Sequence, residues 1–154
     1  MKLSVPSFGI ANKKAILALI LAIAVISVII YFTPFSTSTD IVLYFDKATV
    51  KAGESSKLFL ELNNNLGKDM KYIYIAVTPI DPNTITVPSN TIELHQANFG
   101  MDEKRKFDFD VFVSDTAIEG SYSLNVVVIM DADALNLQNP DFKEERRIKL
   151  EVKR

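Results

Sequence analysis

The stretch Tyr122-Ser123-Leu124-Asn125-Val126-Val127-Val128-Ile129-Met130 places Tyr122, Leu124, Val126, Val128 and Met130 at every second position. Successive side chains of an extended chain point to opposite faces, so this spacing predicts a β-strand with one buried face. The pattern recurs along the chain. Leu58, Leu60 and Leu62 alternate with Lys57, Phe59 and Glu61, and Phe107, Phe109, Val111 and Val113 alternate with Asp108, Asp110 and Phe112. Near the end, Ile148, Leu150 and Val152 alternate with Lys149, Glu151 and Lys153. Turn chemistry separates these runs, at Lys51-Ala52-Gly53-Glu54, residues 63–69, residues 79–88, Asn98-Phe99-Gly100 and Glu119-Gly120-Ser121. With residues 41–46, 71–78 and 91–95, seven principal strands are expected, and residues 84–87 make a short eighth at an edge. Strands this short and evenly spaced, with no amphipathic helix among them, predict an antiparallel β-sandwich over residues 41–154.

Ahead of the sandwich the texture changes. From Ala15 the chain reads Ile16, Leu17, Leu19, Ile20, Leu21, Ile23, Val25, Ile26, Val28, Ile29, Ile30, Tyr31 and Phe32, separated only by alanines and Ser27. Eighteen helical residues rise about 27 Å, close to the roughly 30 Å of bilayer hydrocarbon. Their aliphatic and Phe side chains favour insertion by on the order of 5 kcal/mol. A transmembrane helix is therefore expected over residues 15–33. Lys2, Lys13 and Lys14 precede it without an acid, whereas residues 33–39 carry no Lys or Arg. By the positive-inside rule, residues 1–14 form a basic cytoplasmic leader and everything after the span lies outside the cytoplasm. Residues 34–40 are then a linker of at most about 24 Å, which keeps the sandwich close to the bilayer.

Two processing routes compete with a permanent signal anchor. A cleaved signal peptide, cut after Ser38, would need an apolar core of about 7–15 residues, shorter than the one present. Lys14-Ala15-Ile16-Leu17 is similar to the processing site of archaeal type IV pilin-like and archaellin precursors, although Pro34 stops the helix early for a filament core. The outer part carries a net charge of about −5 against −2 for the whole chain, which suits a solvated domain and gives no reason to invoke nucleic acid. Cysteine is absent, so the fold must rest on its core without disulfides.

Val50-Lys51-Ala52-Gly53-Glu54, leading into Leu58-Phe59-Leu60-Glu61-Leu62-Asn63-Asn64, resembles the opening of the CARDB and NEW3-type immunoglobulin-like modules of microbial surface proteins. Gly120-Ser121-Tyr122-Ser123-Leu124-Asn125-Val126 resembles their later G-x-Y-x-L-x-V strand. The resemblance implies an immunoglobulin-like fold over residues 41–152, and adhesion or complex assembly by analogy. On a single-pass anchor, the combination is similar to small archaeal envelope and motility-stator proteins.

Candidate chemistry is sparse. Asp131, Asp133, Asp141, Glu144 and Glu145 gather in or beside one long loop, as oxygen ligands for calcium would, but without the EF-hand pattern; a solvated acidic loop is the simpler reading. Asp108 and Asp110 share a strand face, as an acid and base pair would, yet an amphipathic strand also has such a wet face. His95 is the single histidine, and no G-x-S-x-G accompanies it. No enzyme activity, metal or cofactor is therefore expected. Lys104-Arg105-Lys106 and Glu144-Glu145-Arg146-Arg147 read as solvated strand starts that discourage edge pairing.

Apolar groups off the core pattern are the stronger functional lead. Phe59, Tyr72, Tyr74 and Phe112 fall on strand faces opposite the expected core, and Leu135, Leu137 and Phe142 decorate the long loop before the last strand. These seven are the candidate partner-binding residues. If the strands alternate up and down from the anchor, loops at 63–70, 96–104 and 131–144 face the membrane, while those at 47–55, 79–90 and 114–121 point away. The expected function is a membrane-anchored extracytoplasmic protein that binds or braces another envelope or membrane-complex component. The alternative is a pilin-like or archaellin-like filament subunit processed near Ala15.

Overall fold

The computed structural model describes residues 39–133 and 139–154, and every regular element among them is a β-strand. There are nine: β1 (Asp40–Phe45), β2 (Thr49–Lys51), β3 (Ser55–Asn63), β4 (Met70–Pro79), β5 (Ile85–Thr86), β6 (Thr91–Phe99), β7 (Lys104–Val113), β8 (Gly120–Asp131) and β9 (Phe142–Lys153). They form a four-stranded sheet in the order β1-β3-β7-β5 and a five-stranded sheet in the order β2-β9-β8-β4-β6. The transmembrane span expected over residues 15–33, with its flanking leader and linker, lies outside the described residues, as do Leu135 and Leu137.

The period-two pattern dictates which faces meet. Leu58, Leu60 and Leu62 of β3 and Phe109, Val111 and Val113 of β7 turn inward from one sheet. Ile73, Ile75 and Val77 of β4, Leu124, Val126, Val128 and Met130 of β8, and Leu150 and Val152 of β9 turn inward from the other. None of these is more than 5% exposed, so the sandwich rests on its core, as a chain without cysteine requires.

Three features depart from the sequence expectation. The first is β2, whose single apolar residue, Val50, is too brief a signal to read as a strand; it pairs parallel with β9, through Val50 and Val152, so the fold is not wholly antiparallel. The Gly53 turn behind it needs a φ of +81°, which glycine adopts without strain. The second is β9, which begins at Phe142 because β8 runs on to Asp131 and offers Met130 as partner to Phe142. The expected long loop is thereby shortened to residues 132–141. The third is β6, which reaches Phe99 across an irregular register in which Gln96 and Asn98 have positive φ. The expected edge strand at 84–87 is real but spans only Ile85 and Thr86, on the flank of β7.

The registers place the start of β1 at the same end as the 64–69, 100–103 and 132–141 connections, through Asp40 opposite Asn63, Asn63 opposite Lys104, and Tyr72 opposite Asp131. Asn64 organises that end. Fully buried, it donates through Nδ2 to the carbonyls of Lys68 (2.9 Å), Phe99 (3.0 Å) and Gly100 (3.0 Å), and its Oδ1 accepts from the Leu66 N–H at 3.2 Å. Arg105 secures the neighbouring strand end, donating to the carbonyls of Ala97 at 2.6 Å and Asn98 at 2.7 Å.

Candidate partner-binding surface

The two outer faces of the sandwich differ in kind. On the four-stranded sheet, Phe59 sits between Tyr44 of β1 and Asp108 of β7, with the Tyr44 ring 5.3 Å away. Lys106 lies over this pair, its ammonium 3.9 Å from the Phe59 centroid and 2.7 Å from the Tyr44 hydroxyl. That hydroxyl in turn donates to Glu61 at 2.7 Å. The hydrogen bond from Lys106 to Tyr44 holds the lysine above its usual range. Phe59 is therefore half-buried beneath a cation. Phe112 stays 47% exposed beside Ser55 and Thr86.

Lys57 occupies the same face, 2.9 Å from Asp108 and 3.4 Å from Asp110. Its hydrogen bond to Asp108, and the charge of that carboxylate, raise its own affinity for the proton. The two aspartates are thus salt-bridged to one lysine. His95 lies on β6 of the other sheet, its ring tilted against Tyr72 at 5.3 Å between centroids and its Nε2 3.2 Å from Glu93, so it does not converge with Asp108 and Asp110.

On the five-stranded sheet the outer face is apolar along its middle. Tyr74 of β4 stands opposite Ile129 of β8, and Ala76 opposite Val127, all half-buried and none belonging to the core. Charge bounds this stripe on both sides: Glu93 of β6 opposite Tyr74, and Lys143 and Glu145 of β9 opposite Ile129 and Val127. The sequence pattern singles out Tyr74 but not Ala76, Val127 or Ile129. The signal was present, because Val126-Val127-Val128-Ile129 is apolar at consecutive positions, which a strand with one wet face would not be.

Two expected partner-binding residues prove structural. Tyr72 is only 3% exposed, its hydroxyl donating to Glu93 at 2.9 Å, and burial first, then the Glu93 carboxylate, push its phenol up to about 12. Phe142 pairs with Met130 on the inward face and packs at the margin of the core. The acidic loop is also tied inward: Asp141 is salt-bridged to Lys68 and accepts the Ala132 N–H at 2.9 Å, which together hold its carboxyl below the usual range. Among the described residues no three His, Asp or Glu side chains come together as a metal ion requires. Large apolar groups exposed elsewhere, such as Ile80, Met101 and Ile118, stand on separate turns, which is ordinary for a soluble surface.

Comparison of the fold identifies its class. Over 73% of this chain and 99% of its own, the third cohesin of ScaC from Acetivibrio cellulolyticus, solved in complex with a dockerin, is similar with a TM-score of 0.54 at 13% identity. α2-Macroglobulin from Escherichia coli matches with a TM-score of 0.52 at 13% identity; the chain spans 6% of that protein's length. A CARDB domain from Pyrococcus furiosus aligns more loosely, with a TM-score of 0.43 at 16% identity over 75% of this chain and 89% of its own. The fold is an immunoglobulin-like β-sandwich. No protein-family model matches the sequence. No curated protein sequence matches it either.

Proposed function

We propose that this chain is a single-pass membrane protein whose apolar stretch at residues 15–32 anchors it with the amino terminus in the cytoplasm. Its sandwich then stands outside the cytoplasm and docks a second protein of the membrane or envelope through the outer face of the five-stranded sheet. The observation that carries the docking role is the stripe of Tyr74, Ala76, Val127 and Ile129, apolar at its centre and charged at its margins, the arrangement of a protein interface. That the similar cohesin is held in a complex with a dockerin supports the reading by analogy of fold.

The test is site-specific photocrosslinking in intact cells of the source organism. A photoreactive side chain at position 74 or 129 is expected to trap one discrete protein adduct, and the same group at position 42, exposed on β1 of the other sheet, none. Absence of an adduct at 74 and 129, or equal yields at all three positions, overturns the assignment. Protease added to sealed cells is expected to remove the sandwich; full protection refutes the topology. The runner-up, a filament subunit, is favoured by Lys14-Ala15-Ile16-Leu17 and predicts a mature protein that starts at Ile16, which mass spectrometry of the amino terminus decides.

A further inference from the structure

β7 is a ten-residue strand at the flank of the four-stranded sheet, and β5 covers only its last two residues, Phe112 and Val113. Among the described residues the edge from Lys104 to Val111 has no strand beside it. The direction of its free hydrogen-bonding groups follows from those at its end. The Val113 N–H donates toward β3, to Glu54, whereas the Ser114 N–H donates to the other side, to Thr84. The β3–β7 register is unbroken, so alternation turns the N–H and C=O groups of Lys104, Lys106, Asp108 and Asp110 to the open edge.

The sequence along this edge, Lys104-Arg105-Lys106-Phe107-Asp108-Phe109-Asp110, is complementary in charge to itself read backwards, so the basic cluster that discourages edge pairing in general favours it in one antiparallel register. An antiparallel pairing of two such edges about a two-fold axis at Phe107 sets Lys106 opposite Asp108 of a second copy and Lys104 opposite Asp110. Both are hydrogen-bonded positions, as the free backbone groups require, and Phe107 meets Phe107 at a non-hydrogen-bonded one. A slip of one residue puts these groups out of phase, and a slip of two sets Lys106 opposite Lys106 in one direction and Asp108 opposite Asp108 in the other. The seven residues fit within the open stretch and end before β5. Lys104 makes no ion pair within the described chain, and Phe107, Ile92 and Leu94 on this flank are only partly buried.

We propose that β7 is a self-association edge, through which two copies of this chain pair isologously with their four-stranded sheets continuous. It uses the flank of the sandwich and leaves the Tyr74–Ile129 face open to a partner, so each assignment can fail without the other.

Charge reversal tests it on the full chain, in detergent where solubility requires. By sedimentation at tens of micromolar the wild type is expected to be a dimer that weakens as salt rises. Lys104→Asp/Lys106→Asp makes the four paired positions 104, 106, 108 and 110 all acidic and Asp108→Lys/Asp110→Lys makes them all basic; each variant alone is expected to be monomeric, with association weakened by roughly tenfold or more. Mixed in equal amounts they restore all four cross-pairs and are expected to dimerise. Circular dichroism checks that each variant keeps its fold. In the cysteine-free background, Phe107→Cys supplies a second readout, an interchain disulfide formed on mild oxidation. A monomeric wild type, or reversed variants that fail to associate when mixed and a Phe107→Cys variant that stays uncrosslinked, overturns the proposal.

Discussion

The side-chain amide of Asn64 donates to the carbonyl of Phe99 at 3.0 Å, joining the exit of β3 to the exit of β6 across the gap between the sheets. Two further carbonyls, of Lys68 and Gly100, converge on the same nitrogen. A buried donor that serves three acceptors is costly to remove, above all because the Phe99 carbonyl loses its partner away from water. Asn64→Leu is expected to cost roughly 2–4 kcal/mol in urea denaturation. Asn64→Asp is expected to be worse, since it aims a carboxylate at those carbonyl oxygens.

Tyr72 makes the alkaline limit of the fold predictable. An unperturbed phenol has an ordinary pKa of 10.0, and in the folded protein this one is pushed up to about 12. The unfolded chain therefore releases the proton first. The Tyr72 contribution to stability is constant below about pH 10 and falls as pH rises from there toward 12. Titration of tyrosinate absorbance is expected to show one late step that Tyr72→Phe abolishes, and the variant should lose part of the alkaline destabilisation.

At the acid end, Asp46 takes the opposite sign. Its Oδ1 accepts from the Lys57 N–H (2.7 Å), the Ser56 hydroxyl (2.7 Å) and the Lys47 N–H (2.8 Å), and these bonds, the first above all, hold its carboxyl below the ordinary value of 3.8. The contribution is complete above about pH 4 and is lost as pH falls through the lowered folded value. Asp46→Ala is expected to cost about 1 kcal/mol at neutral pH. The gap from wild type, followed by thermal denaturation, should narrow as pH falls through that lowered value.

How much of this was legible before the structure depends on the range of the interaction. Inward positions such as Leu60, Val126 and Leu150 could be read directly, because a period of two is a local property and one buried face suffices to reveal it. Val50 could not, since three residues carry no period and β2 is held by a partner about a hundred positions away. Tyr72 and Phe142 were placed on the surface because their exposure is decided by cross-strand neighbours, His95 and Glu93 for the first and Met130 for the second. Phe59 was read on the correct face, but the lysine that covers it comes from β7. Asn64 carried only the generic mark of a turn residue, and its three acceptors lie on two loops that meet in the fold.

Adjacent positions on β8 separate the partner face from the core most sharply. Val127 is half-buried on the outer stripe, while Val128 is 1% exposed and pairs with Ile75 inside. Val127→Lys places a flexible cation where water can reach it, so stability is expected to change by less than about 1 kcal/mol. Val128→Lys buries a charge without a counter-ion and is expected to leave the domain unfolded at room temperature. The Val127→Lys variant should retain its circular dichroism spectrum and thermal transition while losing the crosslinked adduct from position 129. If the adduct persists undiminished, the stripe is not the docking face, because a lysine at its centre desolvates poorly and would stand against the partner's apolar surface.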